Sequence, residues 1–230
     1  MNITRLRQLM CRTGAIISGS AALALIHPHQ FLPNDIDFYV LPFGFAAILE
    51  FIQDHGYKIK PYNRALCNYF HQNIVVVKLI HPVSHKSINV ITGLDSHVVK
   101  LVTCFHSTLL MNYLSWFGLV DLYPEWTLEK CSLIITDTPV SRECQMKYVN
   151  CGYTTHHNVA ELMQPLQEHI CQADLYCPAS IRSLHDGHCL VEPFEPDGFD
   201  INTSECDMTW PLSILCSFDN PSGKGHSTEM

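Results

Sequence analysis

Apolar positions along this chain keep two rhythms, and the change from one to the other marks its elements. Phe45, Ile48, Leu49 and Ile52 recur at three- and four-residue steps, which predicts an amphipathic helix over residues 44–55 ended by Gly56. "DIDFYV" alternates instead, with Asp35, Asp37 and Tyr39 on one face and Ile36, Phe38 and Val40 on the other, the signature of a strand. Upstream, residues 3–12 read as a short helix and "GAIIS" as a buried strand. "SGS" is a tight turn in which Gly19 is free to take a positive φ, and Ser20 is expected to cap a helix to about residue 26. "NIVVVKLI" and "SINVITG" predict two more strands joined by the turn "HPVSHK". Residues 96–104 and 107–117 are apolar over most of their surface and predict two helices covering the sheet.

Beyond Trp116 the pattern weakens. Residues 141–150 predict a helix stopped at Gly152, and Asn158 with Glu161 resembles a capping box opening another, which Pro165 shortens. From residue 177 onward the chain reads as loops and short strands, and the last dozen residues carry no apolar period and read as a mobile tail. These patterns predict an α/β core over residues 1–116, a helical and loop appendage over 117–190 that packs on it, and an acidic, loop-rich segment over 191–230. No internal repeat is present.

With 230 residues, 47% of them hydrophobic, the chain is long enough for one full core and a smaller appendage. Its net charge of -8 is unevenly placed: residues 1–184 carry 13 acidic and 13 basic side chains, whereas residues 185–230 carry nine acids against Lys224 alone. Without a basic stripe, long nucleic acid is disfavoured as a partner, because such binding draws its affinity from phosphate neutralisation. Eleven cysteines, an odd number without the tight spacing of a secreted scaffold, predict reduced thiols and an intracellular protein, cytoplasmic or nuclear. Arg5, Arg7 and Arg12 ahead of the apolar run 14–26 imitate a signal peptide, but that run is too short to span a bilayer and no other stretch approaches membrane length. A membrane partner is therefore not expected.

Two aspartates one residue apart in an apolar strand need a chemical reason. At i and i+2 their backbones lie roughly 7 Å apart on one face, a gap that two flexible side chains can close around one hard cation. Like charges held together on a sheet are costly without a counter-ion, so a bound Mg²⁺ (or Mn²⁺) or a solvent-filled cleft is the natural compensation. The turn "SGS" supplies a second feature: Gly19 permits close backbone approach, and the hydroxyls of Ser18 and Ser20 can donate to a phosphate oxygen. A phosphate cradle beside a cation pair is the equipment for phosphoryl or nucleotidyl transfer. The competing reading places Asn34 and Asp35 in a turn and leaves Asp37 exposed on an edge strand.

"GS", a 14-residue interval and then "DIDFYV" resemble the nucleotidyltransferase fold of the polymerase-beta type. "FHSTLLMNYLSWFGLVDLYPEWTLEK" and "MKYVNCGY" resemble segments of uncharacterised fungal proteins bearing that fold, and the resemblance runs over about residues 12–190. It implies a nucleotidyltransferase-like mixed sheet with flanking helices and Mg²⁺-dependent transfer of a nucleoside monophosphate from a nucleoside triphosphate to an acceptor, which the sequence does not identify. By position, Gly19 and Ser20 would hold the triphosphate, and Asp35 and Asp37 the metal. Active members carry a third carboxylate on a later strand, which here corresponds to "SINVI" with Asn89 in the acid's place. An amide can offer an oxygen to a cation but cannot act as a general base, so a catalytically inactive binding or scaffold protein is the alternative. Asp95 reads as the cap of the next helix rather than as a substitute acid.

Other candidates are weaker. Cys171, Cys177, His185 and Cys189 could be drawn as a zinc site, but no Cys-x2-Cys pair is present and zinc is not expected. His27 and His29 lie in the loop between cradle and carboxylates, where solvated histidines are the ordinary case. Lys78 and Lys100 are not distinguished by their neighbours, and Trp116, Trp126, Tyr113, Tyr123 and Tyr148 read as packing residues.

Overall fold

The structure is a computed structural model that describes residues 2–60, 65–69, 72–93, 97–162, 172, 177–194 and 208–212. Asp95, Pro165, Cys171 and the last dozen residues fall outside the described residues. In chain order the elements begin with α1 (Ile3–Thr13), β1 (Ile16–Ser18), α2 (Ser20–Ile26), β2 (Asp35–Tyr39), α3 (Pro42–Asp54), β3 (Lys58–Ile59), β4 (Ala65–Tyr69), β5 (Gln72–Ile80), β6 (Ser87–Thr92) and α4 (Val99–Val102). They continue with β7 (Asn112–Leu114), β8 (Gly118–Asp121), α5 (Pro124–Leu128), β9 (Cys131–Leu133), α6 (Pro139–Val149), β10 (Thr154–His156), α7 (Val159–Leu162), β11 (Arg182–Ser183), β12 (Leu190–Pro193) and β13 (Thr209–Trp210).

The protein is α/β, built on a nine-stranded mixed sheet in the order β12-β8-β7-β1-β2-β6-β5-β3, with β4 also paired to β5. The β2–β6 pair is parallel, while β1–β2, β1–β7 and β5–β6 are antiparallel. Strand alternation divides the core between the two faces. Phe38, Val40, Ile88 and Val90 point to one face and pack under α1 and α3 with Leu9, Met10, Ile48, Phe51 and Ile52. Ile16, Tyr39 and Ile91 point to the other, where they meet Val99, Val102, Met111, Tyr123, Trp126 and Trp210.

Several expectations change. Residues 107–117 do not form a helix: Thr108–Leu110 make a single 3-10 turn, and β7 and β8 then form a hairpin. A run apolar on every side fits a buried strand as well as a buried helix, so its pattern does not choose. Local polar groups do choose, because Asn112 Nδ2 donates to the Leu109 carbonyl at 2.7 Å and Ser115 Oγ donates to the Gly118 carbonyl at 3.0 Å across the turn. The helix expected over 96–104 contracts to α4. Ser20 is the first residue of α2 rather than its cap; Gly19 takes the cap position without a side-chain hydrogen bond. The boundary expected after residue 116 falls in the β7–β8 turn, and β8 and β12 lie in the same sheet as β1. Among the described residues no helix is long and apolar enough to cross a membrane.

Candidate functional site

Strand register carries one polar row across the middle of the sheet. Ser18 of β1 lies opposite Asp37 of β2, Asp37 opposite Asn89 of β6, and Asn89 opposite Lys78 of β5. These residues share the parity of Ile16, Tyr39 and Ile91, so the row emerges on the face opposite α1 and α3. β2 sits between β1 and β6 in the interior of the sheet, which removes the edge-strand reading of Asp37. Asp35 is the first residue of β2, on the same face and one pleat away.

The two carboxylates converge on one side chain. Asn89 Nδ2 donates to Asp37 Oδ1 at 2.7 Å and to Asp35 Oδ2 at 3.2 Å. Gly19 adopts φ +73°, the left-handed region that glycine enters without penalty, and a Cβ there would stand 3.2 Å from Asp37 Oδ2. The bend of "SGS" and the acid pair are thus neighbours. Burial, reinforced by the charge of Asp35, pushes the Asp37 carboxyl up to about 6 against the opposing pull of the Asn89 hydrogen bond and of Lys147 and Lys78.

The cradle residues divide. Ser18 is fully buried, and its Oγ donates inward to the Asn112 carbonyl at 2.5 Å, so it is not a phosphate donor as the sequence suggested. That bond ties β1 to β7 instead. Ser20 is buried at the start of α2, and Gly19 remains as the point of close backbone approach.

Two further groups, from a segment more than a hundred residues beyond the acids, come within electrostatic reach of them. α6 carries Lys147, whose charge stabilises the Asp37 carboxylate and whose Nζ lies 5.2 Å from the Tyr148 ring centre. Tyr148 is buried, and its phenol is pushed above its ordinary range chiefly by burial, with Cys144, Asp37 and Asp35 adding to the shift. No motif around "QMKYVN" announces this role. The start of α6 is set locally, since Thr138 and Ser141 form a reciprocal capping pair and Pro139 occupies the first turn.

The loop between cradle and acids is held by the same later segment. His27 Nε2 donates to the Thr127 carbonyl at 2.7 Å, Lys130 Nζ donates to Gln30 Oε1 at 2.8 Å, and Gln30 Nε2 donates to the Cys151 carbonyl. His27 therefore anchors the loop to α5, while His29 stands in that loop at φ +74°. Lys100 lies on α4.

The donor set suits a small hard cation: two carboxylates within reach of one another, and an amide able to offer Oδ1 as a neutral third oxygen. Among the described residues no group of three or more His, Cys, Asp or Glu side chains could hold a metal. Of the zinc candidates, Cys177 is buried and accepts from the Gln172 amide at 3.3 Å, and burial pushes the Cys189 thiol up to about 12.

No family model matches the chain, and no curated protein matches it. Among solved structures it is similar to a tRNA-processing enzyme (apo form I), with 14% identity over 67% of this chain and a TM-score of 0.43. The chain spans 43% of that structure's chain. A likeness this distant carries no functional argument.

Proposed function

We propose that this protein binds a nucleoside triphosphate together with Mg²⁺ or Mn²⁺ at the face formed by Gly19, Asp35, Asp37 and Asn89. The observation that carries this reading is the convergence of both carboxylates on a single point beside a glycine bend of positive φ. Asp35 and Asp37 would hold the cation, which supplies charge neutralisation and polarisation of the phosphates. Gly19, lacking a side chain, brings its backbone close to Asp37 at the bend. Lys147, already within electrostatic reach of Asp37, supplies positive charge from α6 toward the polyphosphate. The resemblance of "GS…DIDFYV" to polymerase-beta-type nucleotidyltransferases supports the same assignment, and extends it to transfer of a nucleoside monophosphate.

A second reading, binding without transfer, is favoured by Asn89. It stands beside both aspartates, at the position to which the resemblance assigns a third carboxylate in active members, and it has no basic site with which to deprotonate an acceptor. The two readings part on one measurement. Calorimetric titration of each of the four ribonucleoside triphosphates in Mg²⁺ is expected to show binding by the wild type that chelator removes and that Asp37→Asn weakens at least about tenfold, the lower end of what even a residue supporting a metal ligand is worth. Pyrophosphate release with the same nucleotides assigns transfer; binding without it assigns the non-catalytic protein. Absence of metal-dependent binding for all four would overturn both.

A further inference from the structure

Asn89 does more than replace an acid. A carboxamide nitrogen carries two hydrogens, and Asn89 Nδ2 directs one to Asp37 Oδ1 at 2.7 Å and one to Asp35 Oδ2 at 3.2 Å. The opposite orientation of the amide would aim Oδ1 at two carboxylate oxygens, acceptor against acceptors, so the neighbours dictate which end faces them. The position between two carboxylates is also the one that a bridging cation needs. Both claimants bring positive charge to the same oxygens, a partial one from the amide hydrogens and a full one from the ion.

From this we infer that Asn89 is a latch on the acid pair: its amide and a divalent cation compete for the space between Asp35 and Asp37, so the ion binds only by displacing the Nδ2 hydrogens. The inference rests on the reading of Asp35 and Asp37 as a cation site and adds its regulation. Register keeps the latch in place, because Asn89 is opposite Asp37 on a parallel neighbour and its strand is fixed on the other side by β5. Ile88 and Val90, fully buried beneath α3, prevent β6 from sliding away. Displacement is therefore a side-chain event, a half-turn of the amide that exchanges Nδ2 for Oδ1 or a swing of the whole group. Lys78, opposite Asn89 on β5, adds positive charge on the same face and works against the incoming ion. The consequence is a site that takes up its cation weakly by itself, and more readily when a polyphosphate brings further oxygen ligands with the ion.

The test uses the full chain and Mn²⁺ alone, with free ion followed by electron paramagnetic resonance, for the wild type, Asn89→Ala, Asn89→Asp and Asp37→Asn. Deleting the amide removes the competitor without adding a ligand, so Asn89→Ala is expected to bind Mn²⁺ about tenfold more tightly than wild type, the factor that hydrogen bonds to charged groups are worth. Asn89→Asp should bind more tightly still, and Asp37→Asn should lose binding. Mn²⁺ affinity of Asn89→Ala equal to or weaker than that of the wild type, while Asn89→Asp binds, overturns the latch and leaves the cation site standing. If Asn89→Asp does not bind either, the cation reading falls with it. Should Asn89→Ala fail to fold, the side-chain amide resonances of Asn89 in the wild type decide: Mg²⁺ must shift them while Asp37→Asn abolishes the shift, and resonances that stay put while Mg²⁺ binds refute displacement.

Discussion

Asp121 shows how a single residue can set the pH response of this protein. It is fully buried at the end of β8, where its Oδ1 accepts from the Tyr123 amide at 3.1 Å and from Thr127 Oγ1 at 3.2 Å, while its Oδ2 has no partner. Directly opposite on β7 stands Asn112, whose Oδ1 is likewise buried without a partner. Burial pushes the Asp121 carboxyl up to about 7 from an ordinary 3.8, against the pull of the Tyr123 and Thr127 hydrogen bonds. A carboxyl raised on folding is held protonated more tightly by the native state, so its contribution to stability is intact below about pH 4 and is lost as pH rises to about 7. Asp121→Asn replaces the carboxyl with a neutral amide of the same shape and removes the titration. In urea unfolding the wild type is expected to weaken between pH 5 and pH 8 and the variant to weaken less, being more stable at pH 8 by about 2–4 kcal/mol. Equal slopes would show that Asp121 is ionised throughout. Asp37, raised to about 6, adds a slope of the same sign, whereas His106, lowered by burial, adds one of the opposite sign, and both persist in the variant. The pairing of Asp35 with Asp37 was legible in "DIDFYV" because alternation is a local property. Asp121 was not, since nothing in "GLVDLYPEW" distinguishes a buried acid from a turn acid.

Elements are set partly by their own patterns and partly by what they touch. α1, α3 and α6, with β2 and β6, follow from periodicity and caps, and each was legible to within a few residues. The 107–117 run was not, because a segment buried on all sides carries no period. Contact between elements also imposes requirements that propensity does not reveal. Gly44 lies in the first turn of α3, and a Cβ there would sit 2.7 Å from Thr13 Cβ at the end of α1 and 2.9 Å from Val40 Cγ2. Helix propensity favours Gly44→Ala by roughly 1 kcal/mol, while overpacking against two β-branched side chains costs about 1–3 kcal/mol. The clash should win, giving net destabilisation of up to about 2 kcal/mol in denaturant unfolding. A neutral or stabilised variant would mean that α1 shifts aside freely.

At the scale of the whole molecule, distant segments complete both the sheet and the site. β8 and β12 extend the sheet beyond β7, and Tyr123, Trp126 and Trp210 share a core with Ile16 and Tyr39. Tyr123 stacks on Trp126 with ring centres 5.5 Å apart and accepts from Trp210 Nε1 at 2.9 Å, while the Arg182 guanidinium lies 5.0 Å above its ring. A fragment of residues 1–116 would expose this surface of β1, β2 and β6. It is expected to give a poorly dispersed amide spectrum and no cooperative unfolding, in contrast to the full chain. A cooperatively folding fragment would show that the first half is self-sufficient.

The linear chain by itself determined the α/β class, the glycine bend, the strand with two acids on one face and the helices of clear period, because each depends on residues a few positions apart. Tertiary structure alone decided which residue faces Asp37, that Ser18 turns inward to Asn112, that Lys147 and Tyr148 come within electrostatic reach of the acids, and that an apolar run becomes a hairpin. Those outcomes depend on register between strands and on docking of remote segments, where burial and pairing energies are summed over the whole molecule and leave no local mark.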